Sequence, residues 1–231
     1  MITDAKIREE LKHVYNETTY NGEALARLRL VDELAIPKQI CLADVVAIPV
    51  EEEASNGFHG FEIKSEVDSL TRLESQVHYY SKVFRKCTLI VTEKHEEKAM
   101  DMIPDWWGVI LAHPLSIDEY GEPSESFALI EVREAKENPS PLEAYGLTQL
   151  LWRNELLSIV KEKEIKIAKS SSKRLLRGAI VKAIDVVELE RIVISCLARR
   201  EDWKIPGEKY VRPKRTSSKR PKRTRIRDSK K

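Results

Sequence analysis

Three charged residues stand where charge is costly. Asp44 interrupts the apolar run Ile40–Val50, and Glu62 and Lys64 flank Ile63 in the next apolar segment. A carboxylate inside a strand needs a partner or a metal, because burying a lone charge is strongly unfavourable. Side chains alternate along a strand, so Glu62 and Lys64 share one face while Ile63 points to the other. If the two strands pair, Asp44 and Glu62 come within reach of one cation, and the carbonyl of Ile63 offers a further oxygen. Such an oxygen-only set suits a hard divalent ion, magnesium or manganese in its place. Lys64 would then orient or help deprotonate an attacking water. The ion would lower that water's pKa and stabilise charge developing on a phosphodiester. Phosphodiester hydrolysis fits better than acyl transfer, since there is no G-x-S-x-G and no arguable Ser–His–Asp set. Two plainer readings stand beside this one. A Glu-x-Lys pair commonly decorates a solvent face, and Asp44 could be a buried acceptor capping a neighbouring turn.

The elements that must position these residues are readable from periodicity. Residues 4–15 carry Ile7, Leu11 and Val14 at helical spacing, with Asp4 as N-cap. Residues 23–34 read as a second helix, or one turning extended near Leu30, with Pro37 as its stop. Ile40–Val50 and Phe58–Lys64 read as strands joined by an acidic, hairpin-like connection at 51–57. A helix is expected over Ser69–Phe84, where Thr71 and Glu74 have capping-box spacing. On it Arg72, Gln76 and Tyr80 lie four apart and share a face. Gln76 and Tyr80 would line a cleft beside the acids, or form the half-buried polar edge of a helix. Arg72 would meet a phosphate or pair with Asp68. Strand Cys87–Thr92, helix Glu93–Ile103, strand Trp107–Ala112 and edge strand Phe127–Arg133 follow, then a linker at 136–141. This β-β-α-β-α-β order implies an antiparallel hairpin feeding crossovers to parallel strands. From Leu147 the pattern is helical only: Leu147–Lys161, Lys173–Ile184 and Val186–Arg199, with Trp106, Trp107 and Trp152 expected in the core. The divisions are a core at 1–135, a helical region at 142–203 and a basic tail at 204–231. The C-terminal helices could cover the sheet, form a homodimer or hold DNA.

Asp44 followed by Glu62-Ile63-Lys64 resembles the signature of the PD-(D/E)XK nuclease superfamily. Gln76-x-x-x-Tyr80 resembles the Q-x-x-x-Y element of its RecB-like branch. The run from Phe61 to Tyr80 (F-E-I-K-S-E-V-D-S-L-T-R-L-E-S-Q-V-H-Y-Y), and L-L-W-R-N-E-L-L at 150–157, are similar to a little-characterised bacterial and phage family within it. The resemblance implies a restriction-endonuclease-like mixed sheet flanked by helices, a magnesium-dependent deoxyribonuclease activity and a DNA substrate. Ala43 stands where the superfamily name has Pro. The family also places an acid on its N-terminal helix near the metal. Glu33 is the choice here, with Glu9 and Glu10 as alternatives. A DNA-binding or regulatory protein that keeps the fold without cleaving is the competing expectation.

Composition bounds the partners. The net charge of +2 conceals 13 Lys or Arg against two acids in residues 204–231, a net of +11, so the remaining 203 residues carry −9. An acidic body does not itself attract nucleic acid. Long-range attraction is expected from the tail, with Lys214, Arg215, Lys219, Arg220, Lys222 and Arg223 on phosphates. No aromatic occurs in 211–231, so the tail does not stack on bases. No apolar run reaches a membrane span, and the N-terminus has no apolar signal core, so a cytoplasmic protein is expected. Cys41, Cys87 and Cys196 are single and lack C-x-x-C spacing, which suggests neither zinc nor disulfides.

Overall fold

The computed structural model describes residues 1–17, 19–20, 23–24, 28–36, 41–50, 58–116, 124 and 126–201. The acidic connection at 51–57, Pro37, Ile40 and the tail with its six named cations lie outside the described residues.

The chain order is α1 (Asp4–Glu17), β1 (Thr19–Tyr20), β2 (Glu23–Ala24), β3 (Leu28–Ile36), β4 (Cys41–Pro49), β5 (His59–Lys64), α2 (Leu73–Tyr80), β6 (Lys86–Thr92), α3 (Glu96–Met102), β7 (Gly108–Pro114), β8 (Phe127–Arg133), α4 (Ala144–Gln149), α5 (Arg153–Glu162), α6 (Lys173–Ala183) and α7 (Val186–Ala198). The fold is mixed α/β. Six strands form one sheet in the order β3-β4-β5-β6-β7-β8, and β1 and β2 form a two-stranded ribbon. β3, β4 and β5 pair antiparallel, β5, β6 and β7 parallel, and β8 closes the edge antiparallel. The two parallel steps need crossovers, which α2 and α3 supply.

Each sheet face carries a core, and the edge strand β8 leaves Ile130 and Val132 exposed. On one side Ile2, Ile7 and Leu11 of the N-terminal segment pack on Val45, Ala47, Phe61, Ile63 and Ile90. On the other, α2 and the C-terminal helices share one core with the sheet through residues such as Ile48, Leu73, Tyr80, Leu89, Leu156 and Leu189. Val14, expected on the α1 stripe, is exposed instead.

Several sequence expectations need correction. Residues 28–36 form a full-length strand against β4, so the extended alternative near Leu30 holds there and a helix through residue 34 does not. Val31, Leu34 and Ile36 enter the core on the C-terminal helix side, whereas Leu30 packs on the α1 side. The alternation therefore reverses near Glu33, which has φ 54°. That reversal gives 30, 31 and 34 a spacing that mimics a helix. β4 reverses at the same level: Val45 and Ala47 face α1, while Cys41, Ala43, Val46 and Ile48 face the other core. The ladder pairs Asp32 with Val45 and Leu34 with Ala43, which places Glu33 across from Asp44.

α2 is also shorter than expected. Arg72 is its N-cap residue and makes no side-chain cap bond, so Thr71 and Glu74 form no capping box. Asp68 Oδ2 instead holds a turn, accepting from Ser65 N at 2.9 Å and Ser65 Oγ at 2.6 Å. The expected helix Leu147–Lys161 is broken at Trp152. The carboxylate of Glu155 accepts from Trp152 N at 2.6 Å and takes Arg200 at 2.6–2.7 Å. Arg200 lies 4.3 Å over the Trp152 ring, which is exposed and not core. Trp107 is fully buried. The segment expected as a linker is strapped down: Asn138 Nδ2 donates to Ser81 O at 2.7 Å and Phe84 O at 3.2 Å.

Candidate active site

The site lies where β4 and β5 part. Their backbone ladder runs through Val45↔Phe61 and goes no further toward Asp44. Beyond that point the backbone groups still need partners, and side chains supply them. Asp44 Oδ2 accepts from Ile63 N at 2.8 Å. Asp44 N donates to Tyr80 Oη at 3.1 Å. The paired reversal at Glu33 and Asp44 is what frees Asp44 from the ladder. A positive φ at a non-glycine costs of order 1–2 kcal/mol, so Glu33 is a place where backbone strain is stored.

The predicted residues meet here. Tyr80 Oη shares its proton between Glu62 Oε2 at 2.8 Å and Phe61 O at 3.1 Å while accepting from Asp44 N. It thus links the Asp44 main chain to the Glu62 carboxylate. Glu62 Oε1 accepts from Lys64 Nζ and from Gln76 Nε2. Gln76 Oε1 accepts from Lys64 Nζ at 3.0 Å, closing a triangle. Alternation along β5 puts Glu62 and Lys64 on the α2 side, and the four-residue step along α2 puts Gln76 and Tyr80 opposite them. Arg72 shares that helix but is exposed at its start, and Asp68 is bonded to Ser65. His59 is turned away. Its Nε2 lies 2.8 Å from Thr88 Oγ1, and its ring stacks on Phe61. Burial lowers its pKa to about 3, so it is neutral. His78 is exposed.

Glu33 stands on a strand, not on a helix, and is exposed. The residue of the N-terminal helix that contacts Asp44 is a cation, Arg8, itself paired with Asp4. Arg8 Nη2 lies 3.0 Å from Asp44 Oδ1, its Nη1 donates to the Asp44 carbonyl, and its Nε lies 2.7 Å from Asp4 Oδ2. Arg8 also lies 3.7 Å from Asp32, which pairs with Lys12. Sequence reasoning missed Arg8 and Asp32. The only available signal was the four-residue step Asp4, Arg8, Lys12 along one side of α1.

The site sets acids against cations. Asp4, Asp32, Asp44 and Glu62 face Arg8, Lys12 and Lys64. Burial, followed by the facing Asp44, pushes Glu62 up to about 7 in spite of Lys64. Burial also raises Asp44, although the Ile63 N–H and Arg8 pull it back. Tyr80 is raised well above its usual value, first by burial and then by the two acids, and serves as a neutral hydroxyl. Glu62 and Tyr80 are fully buried, and Lys64 and Gln76 nearly so. Asp44, with 21% of its side chain exposed, is the member that touches solvent. The open cleft expected from the sequence is therefore a closed, hydrogen-bonded cluster.

Two oxygen-bearing acids and the Ile63 carbonyl match a hard divalent ion in kind. Among the described residues no group of three or more His, Cys, Asp or Glu would hold a metal ion by itself. The cysteines are free, and burial raises the pKa of each, which makes them inert thiols. No helix among the described residues is long and apolar enough to cross a membrane.

No curated protein and no solved structure matches the chain. A family model does, across residues 4–223, so both the sheet and the C-terminal helices fall within the match. The chain belongs to the phage protein family described as bacteriophage P4 protein cII.

Proposed function

We propose that this protein hydrolyses DNA phosphodiester bonds with a divalent cation, magnesium or manganese, at Asp44 and Glu62. What supports this reading is one observation: Asp44, Glu62, Lys64, Gln76 and Tyr80, drawn from β4, β5 and α2, form a single hydrogen-bonded cluster where the ladder opens. Asp44, Glu62 and the Ile63 carbonyl would hold the ion. The ion would supply Lewis acidity and a water of lowered pKa. Lys64, already bonded to Glu62, is the group that would orient that water or take its proton. Gln76 and Tyr80 hold Glu62 and Lys64 in place and are positioning residues. The restriction-endonuclease-like relationship belongs to this same proposal, as does phosphate contact by Arg72 and the tail cations.

A second reading keeps the fold and DNA but not cleavage. It is favoured by the way the acids are satisfied internally: Arg8 grips Asp44, and both Glu62 oxygens are bonded. The test is cleavage of labelled duplex, single-stranded and branched DNA in magnesium by the wild type, Asp44→Ala and Lys64→Ala. The proposal expects turnover that falls at least about a hundredfold in either variant, since a lost metal ligand or general base typically costs that much. Equal turnover in all three proteins sinks the site. Chelator-resistant binding with no turnover on any substrate establishes the second reading.

A further inference from the structure

A groove lined by Leu157, Val160, Ile165 and Ile167 and by three lysines lies away from the acid cluster, in the C-terminal helices. It has a volume of about 510 Å³ and lies between α5 and the segment that follows it. The segment is built to be fixed. Glu164, with φ 52°, ends α5 in a left-handed turn, and Ile165 N donates back to Val160 O at 2.9 Å. This is a Schellman-type reversal, which glycine normally serves. Ile165 and Ile167 then pack on the core, so Lys166 between them faces out. Arg153 secures the far end by donating to Ser171 O at 2.7 Å and Lys169 O at 2.8 Å. Lys161, Lys166 and Lys169 line the groove and are exposed, and none is ion-paired among the described residues. Glu164 is the one carboxylate in the lining.

The charge is local. Residues 161–177 hold seven Lys or Arg against two Glu in a body whose 203 residues carry −9; Lys163 is paired with Glu188, and the groove lining itself holds three Lys against Glu164. Three lysines carried on an anchored backbone segment of an otherwise acidic body are an electrostatic footprint for a polyanion. The lining contains no aromatic side chain and no Arg, so neither base stacking nor bidentate base recognition is available. Contact with phosphates is what the three lysines offer, and the apolar lining can pack against sugars. We propose that the α5 groove binds the sugar–phosphate backbone of nucleic acid through Lys161, Lys166 and Lys169, independently of sequence. The inference rests on the reading that the chain engages nucleic acid, and not on hydrolysis at Asp44 and Glu62.

The test is fluorescence anisotropy of a labelled duplex with the full chain in chelator, where cleavage cannot occur, across a range of salt. Three proteins are compared: wild type, Lys166→Glu/Lys169→Glu, and the control Lys98→Glu/Lys136→Glu, which makes the same change in charge at exposed positions elsewhere. The basic tail is common to all three, so the differences isolate the groove. Urea midpoints of all three establish that they are folded. The groove variant is expected to bind at least about tenfold more weakly, with a salt slope reduced by about 1.8 for two lost phosphate contacts. The control is expected to stay within about threefold. Unchanged binding by the groove variant, an equal loss in the control, or equal displacement by polyglutamate would each overturn the assignment. None of these outcomes bears on cleavage, which fails or succeeds separately in magnesium.

Discussion

Glu62→Gln probes the electrostatics of the cluster. Burial and the facing Asp44 raise Glu62 from about 4.5 to about 7. Between those values the folded chain keeps a proton that the unfolded chain has released. Raising the pH through this window therefore favours the unfolded state, and the loss is complete above about 7. At about 1.4 kcal/mol per pH unit, the contribution is on the order of 3 kcal/mol. Glutamine cannot ionise and lacks this decline. Any loss from leaving Lys64 with a neutral partner shifts the variant's whole curve and does not create the slope. His59 works in the opposite sense: burial lowers it from 6.5 to about 3, so its contribution is present above about 6.5 and lost as the pH falls toward 3. In the wild type the two slopes oppose one another between about pH 4.5 and 6.5; in the variant the His59 slope stands alone. Urea unfolding of both proteins from about pH 5 to pH 8 gives the stability difference at each pH. The variant is expected to gain about 2.5 kcal/mol relative to the wild type over that range. A difference that does not vary with pH would refute the reasoning, because it would mean that Glu62 is ionised throughout.

Tyr80→Phe leaves the Asp44 N–H and one Glu62 oxygen without their partner, and should cost about 2–4 kcal/mol, read as a lower urea midpoint at neutral pH. Gly108→Ala would place a Cβ 2.7 Å from Thr88 Oγ1 and 2.9 Å from the Ala135 backbone nitrogen. Overpacking against backbone should cost about 1–3 kcal/mol and lower the melting temperature by roughly 2–12 °C in calorimetry. Glu33→Gly removes an exposed acid while keeping its left-handed φ, so folding stability should hold within about 1 kcal/mol. Cleavage should also be retained, and a loss of activity without a loss of stability would return Glu33 to the metal site.

What was legible in the sequence is what local geometry determines. Alternation along one strand and a four-residue step along one helix were enough to bring Glu62, Lys64, Gln76 and Tyr80 together, and an edge strand at Phe127–Arg133 was found at its observed limits. What was not legible depends on partners distant in the chain. β3 hid its period because Glu33 reverses it, and that reversal is meaningful only against the matching one at Asp44. At the break at Trp152, Glu155 accepts from Trp152 N and is also held by Arg200, 45 residues on. Arg8 reaches Asp44 across 36 residues, and no periodicity in α1 identifies its target. The closure of the cluster was missed for the same reason, since burial is set by how β4, β5 and α2 pack.

A crystal of the protein soaked in manganese and measured for anomalous scattering tests directly whether Asp44 and Glu62 hold a divalent ion. A single strong peak is expected, bounded by the Asp44 and Glu62 carboxylates, with Arg8 displaced from Asp44. No peak there at saturating manganese, with Arg8 still bound to Asp44, would contradict it.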